Sequence, residues 1–511
     1  ESEPPKLSAR EITMSTSLPL SQINLAKVSD EIVRPDYDRS RVKVGIVHVG
    51  VGGFFRSHEA FYTDQLMQSV DASQWGICGV GLREADRKMA AVLKKQDFLY
   101  TLIVRHPGGM IENRVIGSLV DFILGCDDPQ AVIDRMSSPD TKIVSMTITE
   151  GGYNLNSDTG EFDFSNAEAL HDLENPSQPK LVFGYLTAAL RKRRDNGLPG
   201  FTVQSCDNIQ HNGNLTRKMV LGFAHRQDPE LAKWIENEVG FPNAMVDRIT
   251  PVTTQADIKY LEDEFGVQDE WPVTCEPFCQ WVVEDSFSNG RPQWEQAGAQ
   301  FVADVTPYET MKLRLLNAGH SVLGILGSIY GHKTIDECVS DMLFAKYLRN
   351  FMDLEATPTL DAVEGIDLAA YKDSLIERFG NPNIKDNLAR ICLESSSKLP
   401  VFLIPTITAN LRSGGSIKYA ALVIATWCFY SDQGVDQHGK QLEITDQLKD
   451  ALHESAKGTS EDKRSFLKLK SVFGELAANE RFAQAYAEMI DRVYANQDVA
   501  VPMRKVMQDT D

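Results

Sequence analysis

Residues 42–50 (VKVGIVHVG) form a short apolar, β-branched run that ends on glycine, and Gly52 and Gly53 follow at once, ahead of a helix-like segment. A run of this kind reads as a buried parallel strand. Comparable runs recur at 75–82, 115–124, 142–148 and 201–206, separated by helical stretches such as 128–136 and 181–194. That alternation predicts a doubly wound α/β sheet. After a polar, turn-rich stretch at 284–298 the pattern changes to long helical segments with few strand signals, which places a domain boundary near residue 300.

Glycines at the junction of a strand and a helix let the backbone approach a pyrophosphate closely, and a helix start offers N–H groups and a positive dipole end to its charge. Gly50, Gly52, Gly53 and Phe54 make up the turn, and Arg56 stands near enough in sequence to add a cation. The spacing departs from G-x-G-x-x-G because Phe55 takes the third glycine's place, so a plain strand-to-helix turn is the competing reading. Support comes from the end of the second run. It carries Glu84 and Asp86, where an acidic side chain can accept hydrogen bonds from an adenosine ribose diol. A nicotinamide dinucleotide is the expected cofactor, with NAD favoured over NADP; Arg83, beside the acids, is the competing signal for a 2′-phosphate.

Length and composition bound the rest. A chain of 511 residues calls for two or three domains that each bury a sizeable interior. The 52 Lys and Arg against 72 Asp and Glu leave a formal charge of -20, which repels phosphate backbones and anionic membrane surfaces. Neither nucleic acid nor a membrane is an expected partner. The 8 cysteines are scattered, mostly within apolar segments, which reads as reduced thiols in a cytoplasmic protein. Residues 1–40 are polar and lack the charged start and apolar core of a secretory signal.

A second constellation lies in residues 308–320 (YETMKLRLLNAGH). At 100° per residue, Glu309, Lys312, Asn317 and His320 fall within an arc of roughly 140°. A solvated polar face is one reading. The crowd of leucines and the apolar continuation SVLGILGSIYG favour the other, a largely buried helix carrying a site. Tyr308 and Lys312 also spell Y-x-x-x-K, the spacing of short-chain dehydrogenases, but they follow the domain boundary rather than lying in the dinucleotide fold, and Tyr308 is read as coincidental.

These segments, with GIVHVGVGGFFRSHEA (45–60), CGVGLREAD (78–86), SMTITEGGY (145–153), SCDN (205–208), MVDRITP (245–251), EPFCQWVVED (276–285), MKLRLLNAGHS (311–321) and ARICLESSSKLP (389–400), resemble the polyol-specific long-chain dehydrogenases, and among them the mannitol-oxidising members. The K-x-x-x-x-N-x-x-H motif is specific to that family. The resemblance implies an N-terminal Rossmann-type NAD-binding domain over 1–300, a mainly α-helical substrate domain over 301–511, a cleft between them, no catalytic metal and a monomer. It further implies Lys312 as general acid/base, Asn208 and Asn317 as a pair steadying the reacting oxygen, and His320 as their orienting partner. Arg390 and Lys398 would hold distal substrate hydroxyls, Glu309 would pass protons to solvent, and Glu150 would lie near the nicotinamide. The Phe54–Phe55 pair is a slight departure, since a histidine often follows the first phenylalanine in the family.

The chemistry agrees with these residue types. Oxidising a secondary alcohol needs a base for the hydroxyl proton, an acceptor for the hydride and donors for the developing alkoxide. A lysine serves as base when burial and a neighbouring cationic ring bring it down from about 10.4. The resemblance implies the interconversion of D-mannitol and D-fructose as the reaction. Zinc chemistry is disfavoured because Cys275 and Cys279 form a C-x-x-x-C with no second pair. Arabinitol dehydrogenases and fructuronate reductases share the motifs and stay open as alternatives, as does a nucleotide-binding sensor without catalysis, against which the intact Lys312, Asn317 and His320 speak.

Overall fold

The structure is a computed structural model that describes residues 17–509. The polar stretch 1–40 lies outside the described residues as far as residue 16. The chain divides into two compact units, one ending at Ala303 and one beginning at Asp304; the hairpin tip His106–Met110 groups with the second.

In the first unit five strands form a parallel sheet: β1 (Val44–Val49), β2 (Gly76–Gly81), β3 (Leu119–Leu124), β4 (Ile143–Met146) and β5 (Thr202–Ser205). Their order is β3-β2-β1-β4-β5, which is the first five strands of the Rossmann arrangement. β1 lies at the centre and is buried on both faces, which is why its sequence is a continuous apolar run and not an alternating one. Side chains still alternate about the sheet. Val47, Val49, Cys78, Val80 and Val144 join one core with helices Pro129–Ser137 and Val182–Asp195. Ile46, Ile77 and Ile143 join another with Phe55, Leu66 and Trp281.

One expected strand is corrected. The run 115–124 holds two strands: Ile111–Ile116 pairs antiparallel with Tyr100–Arg105 in a separate sheet, and β3 begins only at Leu119. Gly117 sits at the change of sheet, where a Cβ would stand 2.7 Å from Pro35 and 2.8 Å from the Tyr37 hydroxyl.

The second unit is helical, with only isolated β-bridges such as Thr334–Asn387 among its described residues. Its central helix, Lys418–Gln433, is buried along nearly its whole length. The N-terminus of that helix is held by Glu355, whose carboxylate accepts the Tyr419 and Ala420 N–H groups at 2.8 and 2.9 Å and the Ser416 hydroxyl at 2.9 Å. Two stretches, Leu313–Asn317 and Met352–Ala356, are π-helical and pack against each other.

Candidate active site

The carboxyl ends of β1, β2 and β4 meet at a cavity of about 320 Å³ whose wall includes Gly50, Arg83, Asp86, Thr149 and Lys180. Each edge has a local cause. Gly50 has φ +93°, and a Cβ there would stand 2.1 Å from the Thr147 carbonyl oxygen, so only glycine lets the chain turn against β4. Gly52 is exposed with nothing within 4 Å of its would-be Cβ, which leaves open space over the backbone before helix Gly53–Ser57. An open cradle of this sort suits a pyrophosphate. Beneath the turn a buried network links His48 to Glu59 at 3.0 Å, to Ser145 at 2.7 Å and to Thr147 at 3.0 Å, and the Thr147 hydroxyl donates to the Gly50 carbonyl at 2.7 Å. Phe55 stacks on the His48 ring with centroids 3.7 Å apart, while Phe54 stacks on His58.

The two acids after β2 part company. Asp86 lines the cavity and accepts the Arg83 N–H at 2.9 Å. Glu84 is absent from that wall. Arg87 draws its carboxyl below the usual carboxylate range, and Arg87 in turn binds Asp127.

Arg56 is a correction. It is 1% exposed, donates to the Trp271 carbonyl at 2.6 Å and to the Gly52 carbonyl at 3.3 Å, and lies over the Tyr100 ring; burial brings it down to about 10. A guanidinium committed to these carbonyls braces the turn from inside and presents no cation at its surface.

The loop after β4 carries Glu150, exposed at the start of a short 3₁₀ turn. Thr149 has φ +60° and Asn154 φ +51°, strained values for residues with a Cβ. Asp207, which the sequence reading passed over, explains how the strain persists. Its carboxylate accepts the Ile148 and Thr149 N–H groups at 3.0 and 2.9 Å and the Tyr153 hydroxyl at 2.6 Å. Burial nonetheless pushes the Asp207 carboxyl up. Its neighbour Asn208 is exposed just beyond the carboxyl end of β5.

In the second unit Glu309 and Lys312 are 4% and 6% exposed on helix Thr306–Lys312. Asn317 closes the π-turn and His320 follows in the buried helix Ala318–Tyr330. The π-turn alters the geometry expected from sequence. With i→i+5 bonds it has about 4.4 residues per turn, about 82° each, and over 312–317 this draws Glu309, Lys312, Asn317 and His320 into roughly 70° of arc. Asn317 Oδ1 is buried with no hydrogen-bond partner, an acceptor poised for a donor that a ligand could bring. His320 stacks on Phe379 with centroids 4.2 Å apart, a contact that sets the ring plane and that no sequence signal announced. Tyr308 donates to the Glu364 carbonyl at 2.7 Å, a structural bond.

Arg390, on the short helix Leu388–Ile391, forms a bidentate pair with Asp386 and keeps a 67% exposed side chain; Lys398 donates to the Ile391 carbonyl at 3.0 Å. The stretch between them passes through Glu394 with φ +54°, fixed by its N–H to the Thr445 carbonyl at 3.0 Å. Among the described residues no group of three or more His, Cys, Asp or Glu side chains could hold a metal, and no helix is long and apolar enough to cross a membrane.

A Rossmann sheet with an open glycine turn and an acid on the cavity wall after its second strand, joined in one chain to a helical unit with a buried lysine, defines a dinucleotide-dependent dehydrogenase. Residues 44–296 match the mannitol dehydrogenase Rossmann domain and residues 304–494 the mannitol dehydrogenase C-terminal domain. The chain is 44% identical to the mannitol 2-dehydrogenase of Pyricularia oryzae, covering 95% of this chain and 97% of that one. It is 46% identical to that of Neosartorya fischeri, covering 91% and 93%. Among solved structures it resembles Pseudomonas fluorescens mannitol 2-dehydrogenase in a ternary complex with NAD and D-mannitol, with TM-score 0.85, 44% identity and coverage of 96% and 100%. It also resembles a substrate-free D-sorbitol dehydrogenase, with TM-score 0.89, 40% identity and coverage of 95% and 100%. The chain belongs to the mannitol dehydrogenase family and is an enzyme of the polyol dehydrogenase class.

Proposed function

We propose that this enzyme interconverts D-mannitol and D-fructose with NAD as hydride carrier and without a metal. The observation that carries the reading is the likeness, at 44% identity over 96% of the chain, to a protein that binds NAD and D-mannitol together. The residues present fit the cofactor. Gly50 and Gly52 would leave the pyrophosphate its cradle and Asp86 on the cavity wall would receive the ribose diol, while the braced loop from Thr149, which lines the same cavity, would border the nicotinamide. NAD, when bound, accepts the hydride from the carbinol carbon.

Every other step belongs to side chains of this chain. Lys312 as a neutral amine takes the hydroxyl proton during oxidation, and as an ammonium returns it during reduction. Asn208 and Asn317 donate their amide N–H groups to the oxygen as negative charge develops on it, which stabilises the transition state without competing for the proton. His320, its plane set by Phe379, orients the oxygen. Glu309, one turn before Lys312, passes the proton onward, and Arg390 and Lys398 bind distal hydroxyls. The protein acts as a cytoplasmic monomer.

A second reading, oxidation of D-sorbitol, is favoured by the TM-score of 0.89 to D-sorbitol dehydrogenase. A panel of mannitol, sorbitol, arabinitol, fructose and fructuronate with both nicotinamide cofactors tests the choice. Mannitol with NAD and fructose with NADH should give the highest kcat/KM; a higher value for sorbitol, arabinitol or fructuronate overturns the assignment.

A further inference from the structure

Arg83 is the residue where the cofactor reading meets a contrary signal. It lines the same cavity as Asp86, so a guanidinium turned into that cavity would meet the 2′-phosphate of NADP. Two acids deal with it separately. The Arg83 N–H donates to Asp86 at 2.9 Å and helps fix the carboxylate beside Gly81. Its side chain turns to Glu168, donating to both carboxylate oxygens at 2.8 and 3.0 Å. Glu168 is itself fixed. It sits in the first turn of helix Ala167–Glu174, where Asn166 caps the Glu168 and Ala169 N–H groups at 2.8 and 3.3 Å. It is not part of the cavity wall.

We propose that Glu168 is a specificity-determining residue that acts through Arg83, drawing away the guanidinium that would otherwise receive a 2′-phosphate. Asp86 repels the phosphate directly, and Glu168 removes the partner that could offset that repulsion. The pair is half exposed, 57% for Arg83 and 36% for Glu168, and exposed ion pairs are individually weak. A phosphate dianion competes with such a carboxylate once Asp86 is neutral. The effect of Glu168 is therefore largest in the Asp86→Asn background. Lys180, the other cation on the wall, is the same in every variant and contributes a constant background.

The inference rests on the cavity's being the adenosine site, and the test separates the two. Dissociation constants for NADH and NADPH are measured by fluorescence titration, alongside kcat/KM for fructose reduction. The proteins are the wild type, Asp86→Asn, Asp86→Asn/Glu168→Gln, and that pair with Arg83→Gln. The expected result is that Glu168→Gln raises the preference for NADPH over NADH by about two- to fivefold beyond Asp86→Asn alone, and that Arg83→Gln abolishes the increment. No increment, or one that survives Arg83→Gln, overturns the role of Glu168 while leaving the adenosine site standing. If Asp86→Asn alone leaves the preference unmoved, the adenosine reading of the cavity falls, and the inference with it.

Discussion

Gly50 and Gly52 look alike in sequence, yet the structure assigns them opposite sensitivities. Alanine at Gly50 adopts a left-handed φ of +93° and drives its methyl to 2.1 Å from a backbone oxygen. The conformation alone costs about 1–2 kcal/mol. Overpacking against a partner that cannot yield adds about 1–3 kcal/mol. Together they give about 2–5 kcal/mol, enough to lower the thermal midpoint of the first unit by several degrees. Alanine at Gly52 meets nothing within 4 Å and keeps an ordinary extended φ of −104°, so stability should move by no more than about 0.5 kcal/mol. Its methyl instead occupies the space through which a pyrophosphate approaches the backbone. NADH affinity should fall at least about tenfold, or about 1.4 kcal/mol. Thermal unfolding and NADH titration on both variants read the two effects separately. A Gly52→Ala protein that binds NADH as the wild type does would refute the cradle, and a Gly50→Ala protein of undiminished midpoint would refute the steric account.

Three further outcomes are expected. Glu59→Ala takes the carboxylate partner away from the buried His48 ring and the Ser145 hydroxyl and should destabilise the first unit by about 1–3 kcal/mol, read by chemical denaturation; an unchanged stability would contradict the contact. Burial raises the Glu355 carboxyl to about 7 from its ordinary 4.5, so between those values the folded second unit holds a proton that the unfolded chain releases. Its contribution is fully present below 4.5 and is lost as pH rises through 7, so the thermal midpoint of the second unit should decline over that window, and Glu355→Gln should flatten the decline; an unchanged slope in the variant would rule the carboxyl out as its source. Dialysis against a chelator should leave turnover unchanged, and stoichiometric zinc or iron whose removal abolishes it would sink the lysine mechanism.

Much of the first unit was legible because a strand buried on both faces leaves an uninterrupted apolar run, as in Val44–Val49, and a glycine marks where it ends. Periodicity failed at 115–124, since two strands of different sheets follow one another across Gly117 and Ser118 without a polar break. Arg56 misled for a different reason. Its partner carbonyl belongs to Trp271, far along the chain, and no local pattern shows that a cation beside a glycine turn faces inward. In the second unit the motif residues could be picked out by type and spacing, but their closeness depends on a π-turn, which has no compositional mark. The bracing by Asp207 and the ring of Phe379 were equally hidden, because each acts through a contact that only the fold creates.

The proposed chemistry rests on Lys312. Steady-state oxidation of mannitol by Lys312→Ala, measured across pH beside NADH titration, addresses it directly. Acid/base catalysis is worth roughly 10²–10⁴-fold, so turnover should drop by at least that factor, the pH inflection of the wild-type rate should vanish, and NADH affinity should stay near the wild-type value. A variant that keeps more than about a tenth of wild-type turnover, or retains the same inflection, would show that the proton moves through another group.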